Sequence, residues 1–333
     1  MDKNKIAIIG TGAWGSALAN VLLKNNHEVK MYGVNQEEIN DINSGYNRKY
    51  FGNKRFHNYK NLSATNNLAM ILKNVDYVIL ATPSGHIKTM LKDIQKVLNY
   101  RKINLINVAK GIDSESKNFF SELIYSKFRK NLKNMATLIG PSYATEVFEN
   151  ELTMINVVGR DLNYLAKLTK VFNNDSFKLV ISKNEKGSEL FAALKNVLAI
   201  GIGIISYSNK SKNTQSAMLT IGVKEIHKIY KSLFPELDDE IGFELAGIGD
   251  IFLTCSSNKS RNFSFGLDIA DKGLKEVLNS QTKTVEGYTT AKILEKIIKE
   301  KDIYVPFMSN IINVLYHNKS PFKILDFLEE YVK

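Results

Sequence analysis

One cysteine, Cys255, is all the sequence carries, and that scarcity excludes a good deal. No disulfide can close within the chain and no multi-cysteine metal site can form, which suits a reducing cytoplasm. The five histidines show no metal-ligand spacing, so no metal is expected. Prolines number only five, and no Pro- or Ser-rich linker, low-complexity tract or internal repeat is present. A dense basic run is missing as well. Lys and Arg are scattered among many Asn residues, so the formal charge of +11 reads as a compositional bias and no nucleic-acid partner is expected. A chain with a pI near 9.3 still attracts a small phosphorylated substrate.

Long apolar stretches are short of membrane length. Lys3 and Lys5 precede only Ile6-Ala7-Ile8-Ile9, which is too little for a signal-peptide core. The most apolar segment, 190–205, is interrupted by Lys195 and Asn196 and falls short of a comfortable span, so no integral membrane segment is expected.

What remains is an ordinary globular composition, 44% hydrophobic and 24% charged, in 333 residues, a length that suggests about two domains. The first half alternates short apolar runs with amphipathic stretches, the pattern of β-α units feeding a mostly parallel sheet. Strands are expected at 5–9, 28–32, 77–81, 105–109 and 136–139, with 154–158 and 177–181 extending the sheet. From Glu185 onward the apolar spacing turns helical, with helices expected at 185–206, 214–233, 289–300 and 306–316. The expected organisation is an α/β dinucleotide-binding domain over 1–184 followed by an all-helical substrate and catalytic domain over 185–333.

The first expected strand runs into Gly10-Thr11-Gly12-Ala13-Trp14-Gly15 and then a helical pattern. In that context Gly10 permits a tight turn, Gly12 lets the backbone approach a pyrophosphate, and Gly15 lets helix and strand pack closely. Trp14 either covers the cofactor loop or packs as a partly buried aromatic. At the end of the second strand, Tyr32-Gly33-Val34-Asn35 offers neither an acid for a ribose 2′-hydroxyl nor an Arg for a 2′-phosphate.

Lys195 lies in a run, Leu190 to Ile200, that is apolar around the whole helical circumference, so its cation is expected to be buried. Such a Lys needs a partner or shifts toward proton exchange at neutral pH, the chemistry of a general acid or base. Lys110 and Gly140-Pro141-Ser142-Tyr143-Ala144 each follow an expected strand, at the sheet edge where an anion or carbonyl would bind. Farther on, Asp250 could pair with Lys195 or cap a helix. Ser260-Arg261-Asn262 offers a bidentate phosphate clamp with two neutral donors, or a plain polar loop. Glu286 could reach a cofactor or simply open a helix. Cys255, with no His partner evident, reads as a packing thiol.

Together the blocks Gly10 to Gly15, Ala109-Lys110-Gly111, Gly140 to Ala144, Ala193-Leu194-Lys195-Asn196-Val197, Gly247 to Cys255, Ser260-Arg261-Asn262 and Val285-Glu286-Gly287 resemble the bacterial-type NAD(P)-dependent glycerol-3-phosphate dehydrogenases, in the family's order. The resemblance implies a Rossmann-type N-terminal domain and an all-helical C-terminal domain. It makes Lys195 the proton-transfer residue, in a catalytic set with Lys110, Asp250 and Thr254. It puts Lys110, Gly140, Ser142, Lys195, Asp250, Ser260, Arg261 and Asn262 on the substrate. Gly10, Gly12, Ala13, Trp14, Gly15, Lys110, Ala144, Arg261 and Glu286 belong to the cofactor. The implied reaction is reversible reduction of dihydroxyacetone phosphate, a three-carbon phosphate, to sn-glycerol 3-phosphate for phospholipid synthesis, with a homodimer as one possible assembly.

Two departures stand out. Val34 replaces the His or Arg of many relatives, which leans the cofactor toward NAD without excluding NADP, and 46–52 lacks the usual Leu-Pro pair. Two other readings compete: a dehydrogenase of a small carboxylated hydroxy acid, whose carboxylate Arg261 could equally hold, and a catalytically silent dinucleotide sensor.

Overall fold

The structure, a computed structural model, describes residues 3–113, 115–280 and 285–331. It contains two compact units, one built from residues up to Asp113 and from Asn118–Glu185, the other mainly from Lys186 onward.

Eight strands make the sheet of the first unit: β1 (Lys5–Ile9), β2 (Glu28–Tyr32), β3 (Leu62–Thr65), β4 (Tyr77–Leu80), β5 (Ile103–Asn107), β6 (Leu132–Ile139), β7 (Thr153–Val158) and β8 (Phe177–Ser182). Their order is β3-β2-β1-β4-β5-β6-β7-β8. Every neighbouring pair is parallel except β6 and β7. The two-residue period of a strand divides β1 between two cores. Ile6 and Ile8 join the cluster under the helix Ala13–Lys24, while Ala7 and Ile9 join the one under the helix Ile87–Leu98. With both faces covered, β1 and β4 in the middle of the sheet read as nearly continuous apolar runs. Because β1 lies between β2 and β4, the chain order reverses there, and sheets of this kind bind ligands beyond the carboxyl ends of the strands at such a point.

Three expectations change here, and one is that the strand expected at 136–139 begins at Leu132. The pattern missed β3, whose four residues, Leu-Ser-Ala-Thr, hold only two apolar side chains. The strand expected at 105–109 starts at Ile103 and stops at Asn107, so Ala109 and Lys110 lie in the loop beyond it.

The second unit is helical. The helix Glu185–Ser208 forms its centre, with every residue from Gly187 to Ile205 buried. It is long and apolar enough to cross a membrane by length and composition, against the expectation from 190–205, but 89% of its apolar window is buried inside the protein. It is a core helix. Around it stand Lys212–Leu233, Asp250–Cys255, Arg261–Lys272, Glu286–Lys301 and Pro306–Tyr316. The crossing with Arg261–Lys272 depends on two facing glycines. A Cβ on Gly203 would lie 2.2 Å from the Phe263 carbonyl oxygen, and one on Gly266 would lie 2.1 Å from that of Ile200.

Candidate active site

The loop between β1 and the helix Ala13–Lys24 gives its three glycines different environments. Gly10 has φ +129°, and a Cβ there would lie 2.5 Å from the Ala81 carbonyl oxygen, so the turn excludes any side chain. A Cβ on Gly15 would lie 2.8 Å from the Gly10 oxygen and 3.2 Å from the Ala81 Cβ, the close packing of helix on strand. Gly12, at the N-cap, faces open space within 4 Å of its missing side chain. The first turn of the helix carries no acidic residue. Open backbone, unpaired N–H groups and the positive end of the helix dipole fit a pyrophosphate at this place. Ala13 and Trp14, in the first turn, are partly buried against the core.

Two other segments tie into this loop. The buried Asn47 donates from Nδ2 to the Thr11 carbonyl and to Ser16 Oγ, both at 2.9 Å. Thr11 Oγ1 donates to Glu38 Oε2 at 2.6 Å, and Glu38 Oε1 pairs with Lys49 Nζ at 2.5 Å. The sequence reading missed Asn47, Thr11 and Glu38. Val34 is 83% exposed.

Along the same edge of the sheet, β5 and β6 deliver a second group. Lys110 Nζ donates to the Gly140 carbonyl at 2.9 Å, and Ser142 Oγ donates to the same oxygen at 3.2 Å. The register of β5 beside β6 brings the two loops together. Asn107 fixes the approach to Lys110, since its side chain both accepts from the Ala109 N–H and donates to the Ala109 carbonyl, each at 3.1 Å. Ala144 opens the short helix Ala144–Phe148 just beyond.

In the helical unit Lys195 is 6% exposed and has the partners a buried ammonium needs. Its Nζ lies 3.2 Å from Asp250 Oδ1 and donates to Thr254 Oγ1 at 2.6 Å. Thr254 donates its own hydroxyl proton to the Asp250 carbonyl at 2.6 Å, one turn back, which turns its lone pair toward the lysine. Asp250 does not cap its helix through its side chain. It is the first residue of Asp250–Cys255, and its carboxylate goes to Lys195. The turn that places it, Leu245–Gly249, is a π-type turn in which Gly247 has non-helical angles. Cys255, next to Thr254, is buried, and burial pushes its thiol up to about 12, so it is packing and no nucleophile.

The triplet Ser260-Arg261-Asn262 is a helix start rather than a polar loop. Ser260 is the N-cap, its Oγ accepting from the Phe263 N–H, and Arg261 opens the helix Arg261–Lys272. The Arg261 side chain is exposed and has no partner among the described residues. Asn262 Oδ1 accepts from the Gly287 N–H at 2.9 Å, and its amide N–H groups have no partner among the described residues. Glu286 begins the helix Glu286–Lys301 and accepts from Asn196 Nδ2 at 3.3 Å. Asn196, which the sequence reading left without a role, thus joins the helix of Lys195 to Glu286. The site residues fall into two constellations, one in each unit.

Each unit matches a known sequence profile over most of its length. A profile of the NAD-dependent glycerol-3-phosphate dehydrogenase N-terminus matches residues 5–164, and a profile of the C-terminus of the same enzymes matches 184–326. The chain belongs to the NAD-dependent glycerol-3-phosphate dehydrogenase family. A glycerol-3-phosphate dehydrogenase [NAD(P)+] of Malacoplasma penetrans is 42% identical over 324 residues, covering 96% of this chain and 95% of the relative. One from Mesoplasma florum is 38% identical, covering 98% and 97%. Among solved structures, the glycerol-3-phosphate dehydrogenase of Coxiella burnetii superposes with a TM-score of 0.87 at 26% identity, covering 98% of this chain and 99% of its own. As a member of the family the chain is an oxidoreductase that uses NAD or NADP.

Proposed function

We propose that the chain catalyses reversible, NAD(P)-dependent reduction of dihydroxyacetone phosphate to sn-glycerol 3-phosphate, and that the product supplies glycerophospholipid synthesis in the cytoplasm. The observation that carries this reading is the buried ammonium of Lys195 held between Asp250 and Thr254. When bound, the reduced nicotinamide supplies a hydride to the substrate's carbonyl carbon. The oxygen that this leaves negative must receive a proton, and Lys195 donates it from Nζ while Asp250 and Thr254 hold the amine in place. Lys110, fixed by the Gly140 carbonyl and the Asn107 bracket, stabilises the developing charge. Arg261 clamps the phosphate, helped by Asn262, the Ser260 hydroxyl and the N-terminus of their helix. Glu286, steadied by Asn196, contacts the cofactor, and the Gly10–Gly15 loop with Ala13, Trp14 and Ala144 holds the dinucleotide. Holding the phosphate away from the reacting carbon lets remote binding energy orient the carbonyl.

The test is a spectrophotometric assay of NADH and NADPH oxidation with dihydroxyacetone phosphate, beside a panel of short 2-keto acids. Turnover of the phosphorylated ketone alone is expected. Preference for a keto acid would move the assignment to the carboxylated substrates.

A further inference from the structure

Adenosine-end selectivity in a sheet of this type usually comes from an acid at the end of the second strand, which accepts from the ribose 2′-hydroxyl and repels a 2′-phosphate. Here Gly33, Val34 and Asn35 occupy that place. The chain nevertheless brings a carboxylate to the neighbourhood by another route. Asn35 caps the helix Gln36–Asn43, its side chain accepting from the Glu38 N–H at 3.0 Å. Glu38 is the third residue of that helix, where a Glu ordinarily reaches back to the capping residue's N–H. It does not. Its carboxylate goes to Thr11 Oγ1 in the glycine loop and to Lys49 Nζ. Thr11 in turn lies against the end of β2, since a Cβ on Gly33 would lie 2.5 Å from Thr11 Cγ2. The Glu38 side chain, only 12% exposed, therefore sits where the glycine loop meets the end of β2.

The cations nearby have partners of their own. Arg48 pairs with Asp41 and Lys54 with Glu149. The Arg55 guanidinium lies 3.8 Å from the ring centre of Tyr59 and 5.2 Å from that of Tyr46. Lys49 is the cation whose release would uncover, or be uncovered by, a change at Glu38.

We propose that Glu38 is the residue that selects the cofactor's ribose 2′-hydroxyl over a 2′-phosphate, with Lys49 as its counter-ion. The assignment rests on the dehydrogenase reading above and adds to it the residue that discriminates. A carboxylate with an oxygen lone pair to spare accepts a hydroxyl proton. A 2′-phosphate meets like charge there, and can be held only by drawing Lys49 away from Glu38.

Binding of NADH and NADPH, measured by titration calorimetry and by quenching of Trp14, the single tryptophan, tests this without catalysis. The unaltered protein should bind NADH more tightly. In Glu38→Gln, which keeps an acceptor for Thr11, the ratio of the two dissociation constants should shift toward NADPH by about tenfold. Lys49→Met alone should weaken NADPH further and spare NADH. The double variant Glu38→Gln/Lys49→Met should lose most of the gain. An unchanged ratio in Glu38→Gln, or a native preference for NADPH that Lys49→Met abolishes, overturns the role of Glu38. Should Glu38→Gln fail to fold, Lys49→Met decides: weaker NADPH with NADH spared supports the role, and no change in either overturns it. Failure of the unaltered protein to bind either dinucleotide overturns the dehydrogenase reading, and this assignment with it.

Discussion

Lys195 Nζ and Asp250 Oδ1 lie 3.2 Å apart inside the helical unit, both nearly sealed from water. Removing either member of such a pair leaves a buried charge without its counterpart, so the two residues are linked in stability as well as in chemistry. Lys195→Met removes the amine and keeps most of the length. It should still fold, with a lower melting temperature because Asp250 loses its counter-ion, and it should lower turnover by about a hundredfold or more, the usual scale of a positioned acid or base. Asp250→Asn should also lower turnover while retaining a polar group beside the lysine. Near-native turnover of a folded Lys195→Met protein would remove Lys195 as the proton donor.

Arg261→Ala separates phosphate binding from the rest of catalysis. Efficiency with dihydroxyacetone phosphate should fall steeply, and efficiency with unphosphorylated dihydroxyacetone should change far less, because a clamp matters only when there is a phosphate to hold. Equal losses on the two substrates would reassign Arg261 to the cofactor or the fold.

Much of the fold, and the pairing of Lys195 with Asp250, could be read in the sequence, and the exceptions have two physical causes. Lys195 stood out because a cation in an all-round apolar helix needs an explanation that nearby residues can supply. β1 had the expected bounds because its apolar run ends at Gly10, and β2 because the buried Val29 and Met31 alternate with Glu28, Lys30 and Tyr32 before Gly33. β3 escaped because two apolar residues in a strand held by its pairing with β2 leave no periodic trace. Glu38 escaped for a different reason. The local spelling Asn35-Gln36-Glu37-Glu38 is that of a helix cap, and the groups that draw its carboxylate away, Thr11 and Lys49, are set by the fold and not by spacing.

Two glycines should respond in opposite ways to the same methyl group. Gly266→Ala puts a Cβ 2.1 Å from a backbone oxygen of the central helix, where no flexible side chain can yield. Overpacking of this kind costs about 1–3 kcal/mol or more, and the melting temperature should fall by several degrees. Gly12→Ala meets nothing within 4 Å and should melt close to the unaltered protein, while its dinucleotide binding weakens because the methyl enters the space left for the pyrophosphate. Differential scanning fluorimetry with and without cofactor reads both effects.

Acid stability should depend on Glu295. Hydrogen bonds from Lys299, then His317, hold its carboxyl down at about 2 against an ordinary value of 4.5. The unfolded chain therefore binds the proton more readily than the folded one between those values. The stabilisation is present above about pH 4.5 and is lost as the pH falls through the window toward 2. Glu295→Gln should flatten this part of the acid limb in urea unfolding between pH 5 and about pH 2.5. A variant whose midpoint falls with acid as steeply as that of the unaltered protein would show that the Lys299 and His317 contacts contribute little.

Val34 offers a second handle on cofactor choice. A 2′-phosphate needs a cation or several donors near the end of β2, and an exposed Val supplies neither. Arg48, Lys49 and Lys54 are each engaged with a carboxylate, and Arg55 lies against two tyrosine rings, so the basic loop is not held ready for an anion. NADH should therefore be used at least as efficiently as NADPH. Val34→Arg adds a guanidinium to the solvent side without disturbing the core, and it should move the ratio of efficiencies toward NADPH by about tenfold, close to 1.4 kcal/mol of discrimination. With Glu38 still in place the added cation works against a nearby carboxylate, so Val34→Arg combined with Glu38→Gln should move the ratio further than either change alone. Efficiencies for both cofactors in all four proteins decide it. A strong native preference for NADPH would mean that one of the paired cations leaves its carboxylate to read the phosphate, and that neither Val34 nor Glu38 sets the choice.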